Sequence, residues 1–365
     1  MRRANSYDKT FAWITATLLV VGIFILASAS LGLLSRNNAS FSSVILKQVV
    51  FGVGLGLIFL FLAYKIHYEK WKKFAVPIFI FSFLLTALVF VPLFGFEHGG
   101  ARRWLIFGPF SFQPSELLKF GFVLYLASWI SSRRNEINSF KFGFIPFLII
   151  TGFVGVLLVL EPDIGTLGVI AMTSLAMFFV GGGKFSQVAI AIFLGMALLA
   201  GLVLVKPHAM SRIMVFMDSS YDPQGIGYQL RQSMIAIGSG GISGRGFGMS
   251  VQKFNYLPEP IGDSVFAVFA EEFGFVGSLF LMGLFLLFLY RGLFIASRAP
   301  DSFSGLLAFG IVILIVTQSF INIASMIGIL PLTGLPLIFV SQGGSALVVT
   351  LAEIGILLNI SKYGT

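Results

Sequence analysis

Asp263 stands in the stretch Tyr256-Leu-Pro-Glu-Pro-Ile-Gly-Asp-Ser-Val-Phe-Ala-Val-Phe-Ala-Glu-Glu272, where a long polar connection gives way to an apolar run. Charge near hydrocarbon is costly, and a carboxylate placed there is rarely without use. Partly desolvated, it can take a proton from a substrate hydroxyl near neutral pH. The same position also fits an N-cap, with the side chain accepting backbone N–H bonds. On a helix, Glu271 and Glu272 would lie roughly 12 Å deeper, Glu271 within about 80° of Asp263 and Glu272 on the opposite side. Both suit pairing with neighbouring helices.

Gln113-Pro-Ser-Glu-Leu-Leu-Lys119 opens another apolar run. Pro114 suits a first helical position, Glu116 the positive helix end, and Glu116 with Lys119 makes an i,i+3 pair. Lys119 falls more than a turn inside, where a cation is tolerated only if paired or facing a cavity. A structural ion pair and a cavity lining fit this spacing equally. Val340-Ser-Gln-Gly-Gly-Ser345 sets two glycines between hydroxyls inside a further run, implying close packing or a helix opened around a polar cavity. Glu353 lies deeper in that run without an assigned partner. Gly238-Ser-Gly-Gly-Ile-Ser-Gly-Arg-Gly-Phe-Gly248 offers bare backbone and one cation, Arg245. It reads as a flexible turn, because its spacing matches neither the P-loop nor the dinucleotide fingerprint.

The elements that must position these groups are membrane helices. The chain is 57% hydrophobic and 11% charged, which excludes an ordinary soluble domain. Runs at Phe11–Leu34, Ser43–Tyr64, Lys73–Leu93, Pro114–Ser131, Gly143–Leu160, Ile164–Val180, Phe185–Val205, Ser264–Arg291, Gly305–Ile327 and Leu335–Ile360 are each about 17 residues or longer, enough to span. The expected class is an all-α polytopic membrane protein, since lipid leaves no partner for open backbone. The basic start and apolar run read as an uncleaved first helix rather than a signal peptide. With both termini cytoplasmic, the inner connections carry Lys65, Lys70, Lys72, Lys73, Arg133, Arg134, Lys141, Lys184, Arg291 and Arg298, and the tails Arg2, Arg3, Lys9 and Lys362. That is the positive-inside pattern, and it accounts for much of the net charge of +9 without nucleic-acid binding. Two outer connections are longer than the rest, residues 94–113 and 206–263. In the second, Tyr228–Ile237 mixes polar and apolar residues as a short interfacial helix does. With no cysteine, disulfides and thiolate metal sites are excluded.

Several segments together resemble one family. They are Gly100-Ala-Arg-Arg-Trp104 with Gln113–Lys119, Glu161-Pro-Asp-Ile-Gly-Thr166, Gly227-Tyr-Gln-Leu-Arg-Gln-Ser233 with Ala236-Ile-Gly-Ser-Gly-Gly241, Tyr256-Leu-Pro-Glu259 with Asp263 and Ala270-Glu-Glu-Phe-Gly274, then Leu330-Pro-Leu-Thr-Gly-Leu-Pro336 and Ser341-Gln-Gly-Gly-Ser345. The pattern resembles the SEDS proteins of shape, elongation, division and sporulation over essentially the whole chain. Gln252–Glu259 and Asn359-Ile-Ser361 are more similar to the division branch, FtsW, than to the elongation branch, RodA.

That resemblance implies a ten-helix peptidoglycan glycosyltransferase polymerising lipid II on the outer face of the bacterial cytoplasmic membrane, at the division septum. It makes Asp263 the catalytic residue and Arg103, Glu116 and Lys119 cavity residues. It assigns substrate contact also to Gln229, Gln232, Ser233, Arg245, Ser341, Gly343 and Gly344. Arg103, Lys119 and Arg245 would stabilise the departing pyrophosphate, with a divalent cation (Mg or Mn) as an aid. The implied partners are a class B penicillin-binding protein transpeptidase and other divisome membrane proteins. The chain departs from the family at Ile261-Gly-Asp263, where His-Thr-Asp is usual, and at Ser341-Gln-Gly-Gly-Ser-Ala346, where Ser-Tyr-Gly-Gly-Ser-Ser is usual. A lipid II flippase and a non-catalytic scaffold are the competing readings. The crowding of polar groups toward one end of the helices favours the enzyme, since a transporter lines a path from both sides.

Overall fold

The computed structural model describes residues 6–35, 44–98, 101–107, 110–218, 221–222 and 224–364. Of the residues named above, Arg2, Arg3, Ser43 and Gly100 lie outside these. In chain order the helices are α1 Lys9–Ser30, α2 Val44–Lys65, α3 Tyr68–Ala87, α4 Pro114–Ser132, α5 Ile145–Leu160, α6 Ile164–Val180 and α7 Phe185–Val205. They continue with α8 Pro207–Met217, α9 Ile226–Gly240, α10 Val265–Ser297, α11 Ser302–Met326 and α12 Gly344–Ser361. Eight helices among the described residues are long and apolar enough to cross a membrane; α6 is a shorter apolar helix. The helix α4 carries Glu116 and Lys119, and both are buried among other helices. That burial is what makes two charges tolerable at this depth.

Helices α11 and α12 form the centre, each with 72% of its most apolar window buried, whereas α7 is 6% buried and stands at the rim. Exposed Phe and Leu side chains on α2, α3 and α7 are the surface that lipid would cover. Local caps set the helix starts. Asp8 accepts from Phe11 N at 2.8 Å, Asp163 from Thr166 N at 3.1 Å and Asp301 from Ser304 N at 2.8 Å. Asp8 also pairs with Arg291 at 2.9 Å, tying the start of α1 to α10.

Three expectations change. The connection 94–113 folds as a small antiparallel sheet, β1 Gly95–His98, β2 Ala101–Phe107 and β3 Phe110–Phe112, in the order β1-β2-β3. It turns Leu105 inward to full burial. The last helix begins at Gly344, nine residues after the expected Leu335. Pro336 has no N–H to offer a helix, and side chains of α11 bind the carbonyls of the segment in open form.

The Gly-rich segment after α9 is not a free turn. Helix α10 breaks at Gly274, whose φ of 65° only glycine adopts readily, and a Cβ there would stand 2.3 Å from Gly244 N. Arg245 N and Gly246 N donate to the carbonyls of Glu271 and Glu272, while Phe275 N and Val276 N donate to Gly241 and Ile242. The loop thus replaces the helix bonds lost at the break, as apolar surroundings require. Glu271 accepts from Ser250 Oγ at 2.6 Å and Val251 N at 3.1 Å; Glu272 pairs with buried Lys253 at 2.7 Å and accepts from Ser28 of α1. Both glutamates are paired, but chiefly with the connection that leads to Asp263 rather than with neighbouring helices; only the Ser28 contact of Glu272 reaches one.

Candidate active site

Asp263 sits one residue before the N-cap of α10, which is Ser264, and its side chain does not cap the helix. Gln229 of α9 donates instead, from Nε2 to Asp263 Oδ1 at 3.1 Å and to Ser264 Oγ at 3.0 Å. The backbone around the carboxylate is held on two sides. Asn322 of α11 donates from one amide to Asp263 O at 2.8 Å and to Leu335 O at 2.7 Å. Ser341 donates to Gly262 O at 2.7 Å and accepts from Leu337 N at 2.8 Å. Burial pushes the Asp263 carboxyl up to about 6; Gln229 and Arg212 pull it down, and Glu259 adds to the rise. A carboxylate so placed is largely ionised at neutral pH yet basic enough to accept a proton.

Across from it, Gly334 has φ +71°, and a Cβ there would lie 3.9 Å from Arg212 Nη2 and 4.0 Å from Asp263 Oδ2. Arg212 belongs to α8 and feels Arg103, Asp163 and Asp263. Arg103, on β2, donates to the carbonyls of Glu161 and Pro162 in the turn between α5 and α6. In that turn Glu161 is fully buried, and neither of its carboxyl oxygens has a hydrogen-bond partner. Burial, then Asp163, pushes its pKa to about 9 against the pull of Arg103. The folded chain therefore keeps a proton that the unfolded chain releases above the ordinary value of 4.5. Stability from this group is present at low pH and lost as pH rises from about 4.5 toward 9. Glu161→Gln is expected to flatten that slope, read as melting temperature against pH; an unchanged slope would assign it to other groups.

Deeper in the bundle, Lys119 Nζ pairs with Glu116 at 2.8 Å, both side chains almost fully buried. Lys119 also donates to Gln318 Oε1 of α11, and Gln318 Nε2 donates to Pro336 O at 3.2 Å. Glu353 of α12 lines the same cavity, whose volume of about 10 Å³ suits about one water. Ion pair and cavity lining are thus both true of Glu116 and Lys119, and Glu353 has its neighbours. Gln318 and Asn322, four apart on one face of α11, link this cavity through residues 335–336 to Asp263.

The remaining sequence-derived residues divide. Gln229 joins Asp263, and Ser341 holds the turn beside it. Gly343 and Gly344 start α12, with open space where a Gly344 side chain would be. Ser233 is buried with its hydroxyl 3.6 Å from Met326 Sδ. Gln232 lies half-buried on the same helix as Gln229. Arg245 stands 3.4 Å from Glu271, six residues into α10 and so about 9 Å along it. Ile261 and Gln342, the two positions where the family's His and Tyr are missing, touch: Gln342 N donates to Ile261 O at 2.8 Å.

Asn322, Gln318 and Arg212 were not singled out from sequence. Gln and Asn four apart in an apolar run was the readable signal for two of them. Asn322→Ala would leave the Asp263 and Leu335 carbonyls without their donor, at a cost of about 1–3 kcal/mol. A lower melting temperature is expected, with a reduced turnover that keeps its pH midpoint. A wild-type melting temperature would show that the bridge carries no stability.

Residues 9–365 match the profile of the FtsW, RodA and SpoVE cell-cycle proteins. The chain belongs to this family. It is 36% identical over 361 residues to stage V sporulation protein E of Bacillus subtilis, covering 99% of this chain and 98% of that protein. It is 38% identical to a Coxiella burnetii protein named probable peptidoglycan glycosyltransferase FtsW, covering 98% and 96%. Among solved structures, a chain of a peptidoglycan synthase complex described as coordinating polymerization and crosslinking superposes with TM-score 0.81 at 30% identity, covering 97% of each. The rod-shape-determining protein RodA of Thermus thermophilus superposes with TM-score 0.72 at 29% identity, covering 98% of each. The SEDS resemblance read from the motifs and the multi-pass membrane architecture both stand.

Proposed function

We propose that this SEDS chain is a peptidoglycan glycosyltransferase that joins lipid II units into glycan strands. The observation that carries the reading is Asp263: a half-buried carboxylate with its pKa raised to about 6, backed by Gln229 and facing Arg212 across Gly334. Its relatives named as peptidoglycan glycosyltransferases supply the reaction class. Asp263 takes the proton of the acceptor sugar's 4-hydroxyl as that oxygen forms the new bond to the donor's anomeric carbon. The bond from that carbon to the diphosphate breaks, and undecaprenyl diphosphate leaves with the electron pair. A single base with inversion needs no second carboxylate as nucleophile.

Arg103 stands at the same end of the bundle as Asp263, and Lys119 serves from the deeper cavity. Among the described residues no three His, Asp or Glu side chains converge as a metal cage. A divalent cation would be held chiefly by substrate phosphate oxygens, adding positive charge beside the leaving group. Ten crossings with both termini cytoplasmic put Asp263 on the outer face, as the Lys and Arg distribution supports. The working location is the division septum. The partner is a class B penicillin-binding protein transpeptidase, supported by the resemblance to a synthase complex that couples polymerization with crosslinking.

Purified protein, alone and with that transpeptidase, incubated with labelled lipid II tests the reading. Glycan polymer is the expected product. Transbilayer movement of lipid II without polymer would replace the enzyme with a flippase, and neither activity would leave a scaffold.

A further inference from the structure

The cavity between α4, α11 and α12 carries a charge imbalance that the chemistry at Asp263 does not use. Its charged side chains are Glu116 and Lys119 of α4 and Glu353 of α12. Helix α11 adds Gln318, α12 adds Thr350, and the segment before α12 adds only apolar Ile338. All three charged groups are buried, Glu353 at 2% exposure. Lys119 is the one fixed positive charge among them, and it is already committed. It pairs with Glu116 Oε2 at 2.8 Å and donates to Gln318 Oε1. Among the described residues Glu353 forms no ion pair. Two oxygens are left over: Glu116 Oε1 and Glu353 Oε1 are buried without a hydrogen-bond partner. An ionised carboxylate among apolar helices demands a compensating charge, and such groups mark ion sites in membrane bundles.

Size and donor chemistry limit what can supply that charge. The cavity, about 10 Å³, takes one particle the size of a water. A neutral water would satisfy both oxygens and leave the negative charge in excess. A divalent cation would reverse the imbalance rather than remove it. A small monovalent cation balances it, and the side-chain oxygens of Glu116, Glu353, Gln318 and Thr350 are hard donors suited to a hard ion.

We infer that this cavity binds one small monovalent cation, a sodium ion or a hydronium ion, between Glu116 Oε1 and Glu353 Oε1. The bound charge lets Lys119 keep its two partners instead of being drawn toward Glu353. Gln318 in turn holds Pro336 O at 3.2 Å, so the site braces the segment that runs to Asp263. It stands whether or not Asp263 is the base of the proposed reaction.

The test is thermal unfolding of the purified full chain, with sodium chloride exchanged for choline chloride at constant ionic strength. The parent is compared with Glu353→Gln, so the pH slope of Glu161 is common to both and cancels. With sodium as the occupant, rising sodium should raise the parent's melting temperature, most at alkaline pH where hydronium is scarce. Radioactive sodium should then bind the parent and be displaced by unlabelled sodium but not by choline. Glu353→Gln removes the excess charge and should weaken that binding by about 10- to 100-fold, the worth of one charged contact. With hydronium as the occupant, sodium has no effect. The parent's folding constant should instead fall with rising pH, by up to about tenfold per unit more than that of Glu353→Gln. Glu353→Asp keeps the charge but withdraws the oxygen by one methylene, so either response should weaken without vanishing. That variant decides the matter if the Gln variant does not fold, an undiminished response counting against the site. Equal sodium stabilisation of the parent and Glu353→Gln would place the ion elsewhere and overturn the inference. So would a parent that follows neither sodium nor pH more steeply than Glu353→Gln. Every readout is of binding or unfolding, so a failed lipid II assay would remove the proposed reaction and leave the site.

Discussion

Asp263→Asn is expected to insert, fold and lose polymerisation, a drop of about 10²- to 10⁴-fold, the usual share of a general base. Asparagine keeps the shape and an oxygen for Gln229 Nε2, so the hydrogen bond at 3.1 Å survives while the base does not. Near-normal synthesis by this variant would end the base assignment. The parent's rate should fall about tenfold per pH unit below 6 and level off above it, because the base works only when deprotonated. The neighbours supply a signed check. Gln229 lowers the pKa by donating to the carboxylate, so Gln229→Leu should move the midpoint up. Glu259 raises it by like charge, so Glu259→Gln should move the midpoint down. Shifts in the opposite senses would show that the midpoint belongs to another group.

The sequence carries the membrane helices plainly because hydrocarbon demands long apolar runs and leaves little else to choose. It carries Asp263, Glu116 and Lys119 for the converse reason: charges near or in apolar runs stand out. What it does not carry is how distant polar residues close on one another. Gln229 and Asp263 meet because α9 packs along α10, and nothing local to either residue announces that. The late start of α12 is hidden because Leu337, Ile338, Phe339 and Val340 are as apolar as any span, while their helical bonding is pre-empted by Gln318 and Asn322. The Gly-rich segment looked like slack, since glycine serves slack turns and close backbone contact alike; only the break at Gly274 tells which. Arg212 was passed over as one cation in a polar connection, where cations are ordinary.

Neutralising Glu116 or Lys119 singly should cost far more than the pair's net worth. Each is almost fully buried, and removing one partner strands the other, at about 3–5 kcal/mol. The two losses should nonetheless be unequal, because Glu353 faces the same cavity. Glu116→Gln leaves Lys119 with Glu353 as a remaining counter-charge and Gln318 as an acceptor. Lys119→Met leaves two carboxylates on one small cavity with no cation, and should be the more damaging. In the double variant both charges go together, so its cost should fall short of the summed single costs by about 1–3 kcal/mol. Thermal unfolding in detergent measures the stability side of this cycle, and lipid II polymerisation the functional side. If losses add in unfolding, the 2.8 Å pair is not energetically coupled. If unfolding shows the coupling while polymerisation stays lost in the stable double variant, the charges serve the substrate as well as the fold. Adding Glu353→Gln to Lys119→Met decides the asymmetry, since it should recover stability only if that carboxylate is what Lys119 holds in check.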